Sequence, residues 1–274
     1  MARTTHYVPQ VRSGALGGSQ GNHDVQQRGL SVLSLKIIAL IFTSFSVFST
    51  AIFPNIFGTE SMVGLTLAVV SEVLSWLAVP LVAWLTVQGF KHTRHSRAYM
   101  GRVALLAVLC EIPYDYVTTE KIWDFGSQNP VWAVLLILCA LSVREHSIKM
   151  MTDNRGKTPR RYTVVLDLVL FICAAVWMLM LRVGVRQQLI PLGLIMLVFA
   201  YIYYFLGLKE NTMMLLSGIF GALCMITPGI GAVILHYRND YKLGFDRDNR
   251  ILHSVLYGSY LIMLLIGVLV TVLA

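Results

Sequence analysis

Apolar runs of about 20 residues recur along this chain and constrain its fold more than any other feature, because one such helical run spans a bilayer's hydrocarbon core of about 30 Å. They fall near 31–53, 63–90, 101–117, 130–143, 162–181, 190–208, 212–235 and 251–273. None shows the alternation of a barrel strand, and a crossing must satisfy its backbone internally. The reading is therefore all-α: a polytopic transmembrane helix bundle of about eight spans over residues 30–274. Composition agrees, with 56% hydrophobic and only 13% charged residues, far from the roughly 25% charged of an ordinary soluble domain. The runs at 101–117 and 130–143 are short, which predicts helices in a thinned bilayer or packed inside the bundle. Pro80 and Pro113 fall inside runs and predict kinks.

Residues 1–29, rich in Gly, Gln and Ser with almost no large aliphatic side chain, read as a disordered tail. No short apolar core with a small-residue cleavage site precedes the first run, so the first helix is expected to insert the chain without a removed signal peptide. Lys91, Arg94, Arg97 and Arg102, the basic residues from Arg144 to Arg161, and Lys209 all fall on the tail's side of an eight-span bundle. By the positive-inside rule this predicts a cytoplasmic amino terminus in a cell inner membrane. One loop disagrees. HYRNDYKLGFDRDNR, 236–250, carries four basic residues on the supposed outer face; an odd number of crossings would bring it inside.

The net charge of +8 needs no nucleic acid to explain it, since the basic residues lie in loops rather than on a folded polar domain. Their densest knot, QGFKHTRHSR at 88–97, ends an apolar run. Cations there meet anionic membrane lipids, at about 1 kcal/mol per charge. Cys110, Cys139, Cys173 and Cys224 fall one per run without metal-type spacing, so neither a disulfide nor a metal site is expected.

Ionisable residues inside runs are costly unless they face water or a partner. Lys36 is expected to snorkel to an interface. Glu72 and Asp167 read as isolated, each near a membrane face. Glu111 and Asp115, in CEIPYDY, stand four apart and share one face if the helix continues past Pro113, with Tyr114 and Tyr116 alongside. Two readings are open: a polar pocket holding an acid/base or orienting carboxylate, or a helix end that reaches water. Tyr201, Tyr203, Tyr204 and Phe205 read as an interfacial aromatic belt. Arg182 and Arg186 form, with Gln187 and Gln188, a tight turn between helices, and GIG at 229–231 reads as helix packing.

LKIIALIF at 35–42 and LAVPLVAWLTVQGFKHTRHSRAYMGRVALLAVLCEIPYDY at 77–116 resemble the TraX family of conjugal-transfer pilin acetylases. That family's pattern has LKIIAL followed by Ile-Asp-His, then LAFPLFAFLLVEGFRHT, a basic stretch, and a helix ending in Ile-Pro-Tyr/Phe-Asp. The likeness is dense over 35–145 and weak thereafter. It implies a membrane-bound N-acetyltransferase that passes acetyl from acetyl-CoA to an envelope acceptor such as a pilin amino terminus. On it, Lys91, His92, Thr93 and Arg94 match the basic motif and are candidates for binding the coenzyme's phosphates, while His92, Glu111 and Asp115 are candidates for taking the acceptor's proton.

The departures fall on chemistry. Phe45, Ser46 and Val47 stand where the family has Asp-His, Gln88 replaces an acidic residue, and Tyr257, Gly258, Ser259 and Tyr260 replace Tyr-Pro-Leu-His. Ser44, Ser46 and Ser49 do not substitute, because a serine needs a neighbouring base to become a nucleophile. Three functions follow: an acyltransferase in which His92, Glu111 or Asp115 serves; a relative that has lost the reaction and acts in assembly; or a small-solute transporter, which the absence of any visible internal repeat weakens. The acceptor and the oligomeric state are not written in the sequence.

Overall fold

A computed structural model describes residues 29–58, 60–156, 158–186, 190–239 and 250–274. The tail up to residue 28, Gln187 and Gln188, the loop 240–249 and the side chains of His253 and Tyr257 lie outside that description. Eleven α-helices make up the described chain: α1 Val32–Val47, α2 Phe53–Phe57, α3 Met62–Ser75, α4 Ala78–His92, α5 Ser96–Thr119, α6 Val131–Arg155, α7 Arg160–Met180, α8 Leu192–Leu206, α9 Glu210–Leu223, α10 Thr227–Ile234 and α11 Arg250–Leu273. A π-turn at Phe48–Ile52 joins α1 to α2, and a two-residue ladder pairs Val185–Arg186 with Ile190–Pro191. The fold is an all-α bundle.

Local chemistry sets the boundaries. Ser31 caps α1 by accepting from Ser34 N at 3.1 Å, and Ser61 caps α3 by accepting from Gly64 N at 3.4 Å. Pro80 has no N–H to offer Trp76 O. Val79 N donates to that carbonyl instead, at 3.2 Å, and Leu77 N to Leu74 O at 3.2 Å, so the chain tightens and α3 breaks from α4 at 76–77. Pro113 is absorbed inside α5. The two runs that looked short are parts of 24- and 25-residue helices, which continue beyond the runs through Arg97 in one case and through Arg144 to Arg155 in the other. Apolar length undercounts a helix that runs on into polar surroundings.

Among the described residues, four helical stretches are long and apolar enough to cross a membrane: Val32–Phe57, Met62–His92, Val131–Asp153 and Arg160–Met180; Leu192–Leu206 and Gly258–Leu273 are shorter apolar helices. Val165, Leu168, Val169, Ile172, Val176 and Trp177 of α7 are exposed, an outward face suited to hydrocarbon rather than water. The core holds Leu35, Trp84, Phe199, Tyr203 and Leu197, contributed by α1, α4 and α8.

Cross-chain bonds define two ends of the bundle. At the tail end, Leu30 N donates to Tyr237 O at 2.7 Å and Asn239 N to Leu30 O at 2.9 Å, while Lys91 Nζ donates to Tyr204 O at 3.3 Å. At the far end, Asn55 Nδ2 donates to Thr271 Oγ1 at 3.1 Å and Gly184 N to Gln128 O at 2.8 Å.

The segment 212–235, expected as one span, instead folds back on itself as α9 and α10. Met225 and Ile226 take φ of 142° and 66° to make the reversal, and a Cβ on Gly221 would strike the Gly229 backbone, so only glycine lets the two helices lie this close. Both ends of the hairpin sit at the tail end, where Arg238 Nη2 lies 3.3 Å from Glu210 Oε1. A Cβ on Gly231 would likewise strike Leu77 O, so α10 seats against the break in α4.

Candidate functional site

The basic knot closes α4. Thr93 leaves the helix with extended backbone, its N–H donating to Gly89 O at 3.1 Å. Lys91 turns toward α8, its Nζ 5.1 Å from the Tyr204 ring centroid. His92 is exposed, and its Nδ1 lies 2.9 Å from Gln88 O. A carbonyl only accepts, so Nδ1 carries the proton; in the neutral ring Nε2 keeps its lone pair. Arg94 is exposed and Thr93 half-buried.

Beside the knot lies a cavity of about 740 Å³ between α4, α5, α6 and α8, lined among others by Phe90, Ser96, Arg97, Arg144, His146 and Lys149. Arg144 is its fixed element. Its Nε and Nη2 donate to the two oxygens of Asp167 at 2.6 and 3.3 Å and its Nη1 to Tyr204 Oη at 3.1 Å, with the guanidinium 4.9 Å from the Phe205 ring. Tyr204 Oη donates in turn to Glu145 Oε1 at 3.1 Å. One member of the expected aromatic belt, Tyr203, lies elsewhere. Tyr203 is buried in the core, Tyr204 ties the charge cluster together, and Tyr201 meets Phe171 edge-on at 5.0 Å.

Sequence reasoning missed the Arg144–Asp167 pair. A signal was present: α6 and α7 are consecutive helices with a short link, and positions 144 and 167 stand 11 and 7 residues from the facing helix ends, so antiparallel packing brings them within about a turn of each other. Glu72 is not isolated either, since Trp76 Nε1 donates to its Oε1 at 3.3 Å.

Glu111 and Asp115 do share a face of an unbroken α5, but at the opposite end from the knot. Fifteen residues separate Glu111 from Ser96, about 22 Å along the axis. The carboxylates hold the α5–α6 loop. Glu111 Oε2 accepts from Trp132 Nε1 at 2.8 Å, from Asn129 N at 3.4 Å and from Asn129 Nδ2. Asp115 Oδ2 accepts from Asp124 N at 2.9 Å. Asn129 Nδ2 also donates to Ala107 O at 2.8 Å and Asn129 Oδ1 accepts from Val131 N at 3.0 Å, starting α6. Glu111 is 5% and Asp115 1% exposed. The structure thus gathers Lys91, His92, Thr93 and Arg94 at one end and Glu111 with Asp115 at the other.

A second cavity, of about 240 Å³ and half open to its surroundings, lies between α1, α3, α4, α5, α6, α8 and α11. Lys36 lines it, half-buried. Among the described residues, no group of three or more His, Cys, Asp or Glu side chains is arranged to hold a metal ion. No family model, curated protein or solved structure matches this chain.

Proposed function

We propose that the protein is a membrane acyltransferase of the TraX type, using acetyl-CoA bound at the tail-end cavity and an amine of the envelope, such as a pilin amino terminus, as acceptor. One observation carries the reading: a roomy basic cavity opens directly beside the KHTR segment that the resemblance marks. Arg144 is held by Asp167 and Tyr204, which leaves the exposed Arg97 and Lys149 to meet phosphate oxygens, with Lys91 to Arg94 at the rim.

His92 is the base in this scheme. Its Nε2 faces away from the Gln88 carbonyl and takes the proton of the attacking amine. The amine nitrogen bonds to the thioester carbonyl carbon, the carbon–sulfur bond breaks, and coenzyme A leaves as a thiolate that accepts the same proton. Glu111 and Asp115 take no part, being about 22 Å away along α5 and engaged in holding a loop.

The same reading sets the topology. With α9 and α10 as a re-entrant hairpin, the chain crosses seven times, and the loop after Arg238 joins the tail side. Lys121, Arg182 and Arg186 are then the basic loop residues of the far side, an asymmetry that supports an amino terminus in the cytoplasm and a carboxyl terminus outside.

Turnover tests the proposal: purified protein in bilayers, labelled acetyl-CoA and envelope fractions as acceptor, compared with His92→Ala. Transfer lost in the variant supports it, and no transfer by the native chain refutes it. A second reading, a relative that has kept the fold and serves in assembly, is favoured by the separation of the carboxylates from the knot. Native transfer dependent on His92 would end it.

A further inference from the structure

The inner cavity is lined mainly by apolar side chains where a tightly packed bundle would have none to spare. Small residues leave the space: Ala39 and Ser46 on α1 and Ser75 and Ala78 at the α3–α4 break. Three of its hydroxyls bond within their own helices. Thr43 Oγ1 donates to Ala39 O at 2.7 Å, Ser75 Oγ to Glu72 O at 2.7 Å and Thr86 Oγ1 to Val82 O at 2.7 Å, and Lys36, Ser46, Tyr99 and Ser259 have interactions of their own. A mostly apolar pocket with a few polar groups at its edges suits an apolar guest, and its volume is about 240 Å³.

Shape narrows the guest. Lys36 and Ser46 both line the cavity and stand ten residues apart on α1, about 15 Å. An extended chain advances roughly 1.2 Å per bond, as three backbone bonds cover about 3.6 Å, so a linear chain of up to about twelve carbons fits along it. Position narrows it further. Thr86 lines the inner cavity and Phe90, one turn on, lines the basic one; Tyr99 and Val103 face the first, Ser96 and Met100 the second. The two cavities are end-on neighbours, with Phe90 and Tyr99 between them, and Tyr99 lies so close over α4 that a Cβ on Gly89 would come within 2.9 Å of its hydroxyl.

We propose that the inner cavity is a binding site for one aliphatic chain of about ten carbons, entering from the basic cavity past Phe90 and Tyr99. The chain site stands on the cavity alone; its identity as the acyl group of a coenzyme A thioester, with the phosphates in the basic cavity, rests on the function proposed above. The protein would then prefer medium-chain donors over acetyl-CoA.

The test is equilibrium binding to the protein in lipid nanodiscs of acyl-CoA thioesters from two to sixteen carbons and, separately, of the matching free fatty acids. Two space-filling variants on different helices, Val82→Phe and Val134→Phe, are compared with the native chain; both positions line the cavity and are only half-buried. The expected result is affinity rising about fourfold per added methylene up to about ten carbons, then levelling, with the break moved to shorter chains in both variants and acetyl-CoA binding unchanged. Chain-length dependence for fatty acids with no binding of any thioester would keep the chain site and refute the coenzyme reading. Affinity independent of chain length, a break unmoved in both variants, or no binding of either series would overturn the proposal.

Discussion

Arg144 on α6 and Asp167 on α7 meet fork to fork, with nitrogen–oxygen distances of 2.6 and 3.3 Å and side chains only 16% and 18% exposed. Removing one partner of a buried pair costs roughly 3–5 kcal/mol, and the residual access to water lowers this. Asp167→Ala is expected to destabilise the protein by about 2 kcal/mol, read as a fall in thermal midpoint in detergent. In a double-mutant cycle, Arg144→Met should recover most of that loss, because it removes the stranded cation.

The far-end carboxylates should behave as loop holders. Glu111→Gln keeps an oxygen to accept from Trp132 and Asn129, so its effect on stability and on turnover should be small. Glu111→Ala removes the acceptor shared by Trp132 Nε1 and the two Asn129 nitrogens, at about 1–3 kcal/mol for each donor left unsatisfied. Amide exchange over 120–130 should quicken markedly in that variant and little elsewhere. Unchanged exchange in Glu111→Ala would show that the loop is held by other means.

These two clusters mark what the sequence could and could not disclose. The bundle was legible from apolar run length alone, since each run's chemistry is local. The pairing of Glu111 with Asp115 on one face was legible from their spacing and from a helix that absorbs Pro113. What the carboxylates bind was not, because Asn129 and Trp132 come from the next helix and nothing in CEIPYDY names them. For Asp167, whose partner lies 23 residues upstream, the only signal was the short link that makes α6 and α7 antiparallel neighbours. The hairpin was hidden for another reason: an apolar run of 24 residues satisfies the length rule whether it crosses or turns, and only the contact of Gly221 with Gly229 separates the two.

That contact is open to test. Gly221→Val places a branched side chain against the Gly229 backbone, and overpacking of this kind costs about 3 kcal/mol. Thermal melting should show the loss, whereas Gly218→Ala, where a Cβ meets nothing within 4 Å, should be near neutral. Equal effects would mean that α9 and α10 are not closely packed.

Sidedness gives an independent check on the hairpin. In a chain freed of its four cysteines, Leu208→Cys and Tyr237→Cys, both at exposed positions, should react with a membrane-impermeant thiol reagent from the same side, and Ala274→Cys from the other. Labelling of 208 and 237 from opposite sides would restore a full crossing between them.

The central claim, that the basic cavity beside the KHTR segment binds a coenzyme's phosphates, is tested most directly by equilibrium binding of acetyl-CoA to the purified protein at two salt concentrations, with Arg97→Ala and Lys149→Ala beside the native chain. The account predicts binding that weakens with salt and falls at least tenfold in each variant, since a hydrogen bond to a charged group is worth about 1.5–3 kcal/mol. Binding that neither salt nor either substitution affects, or no binding at all, would contradict it.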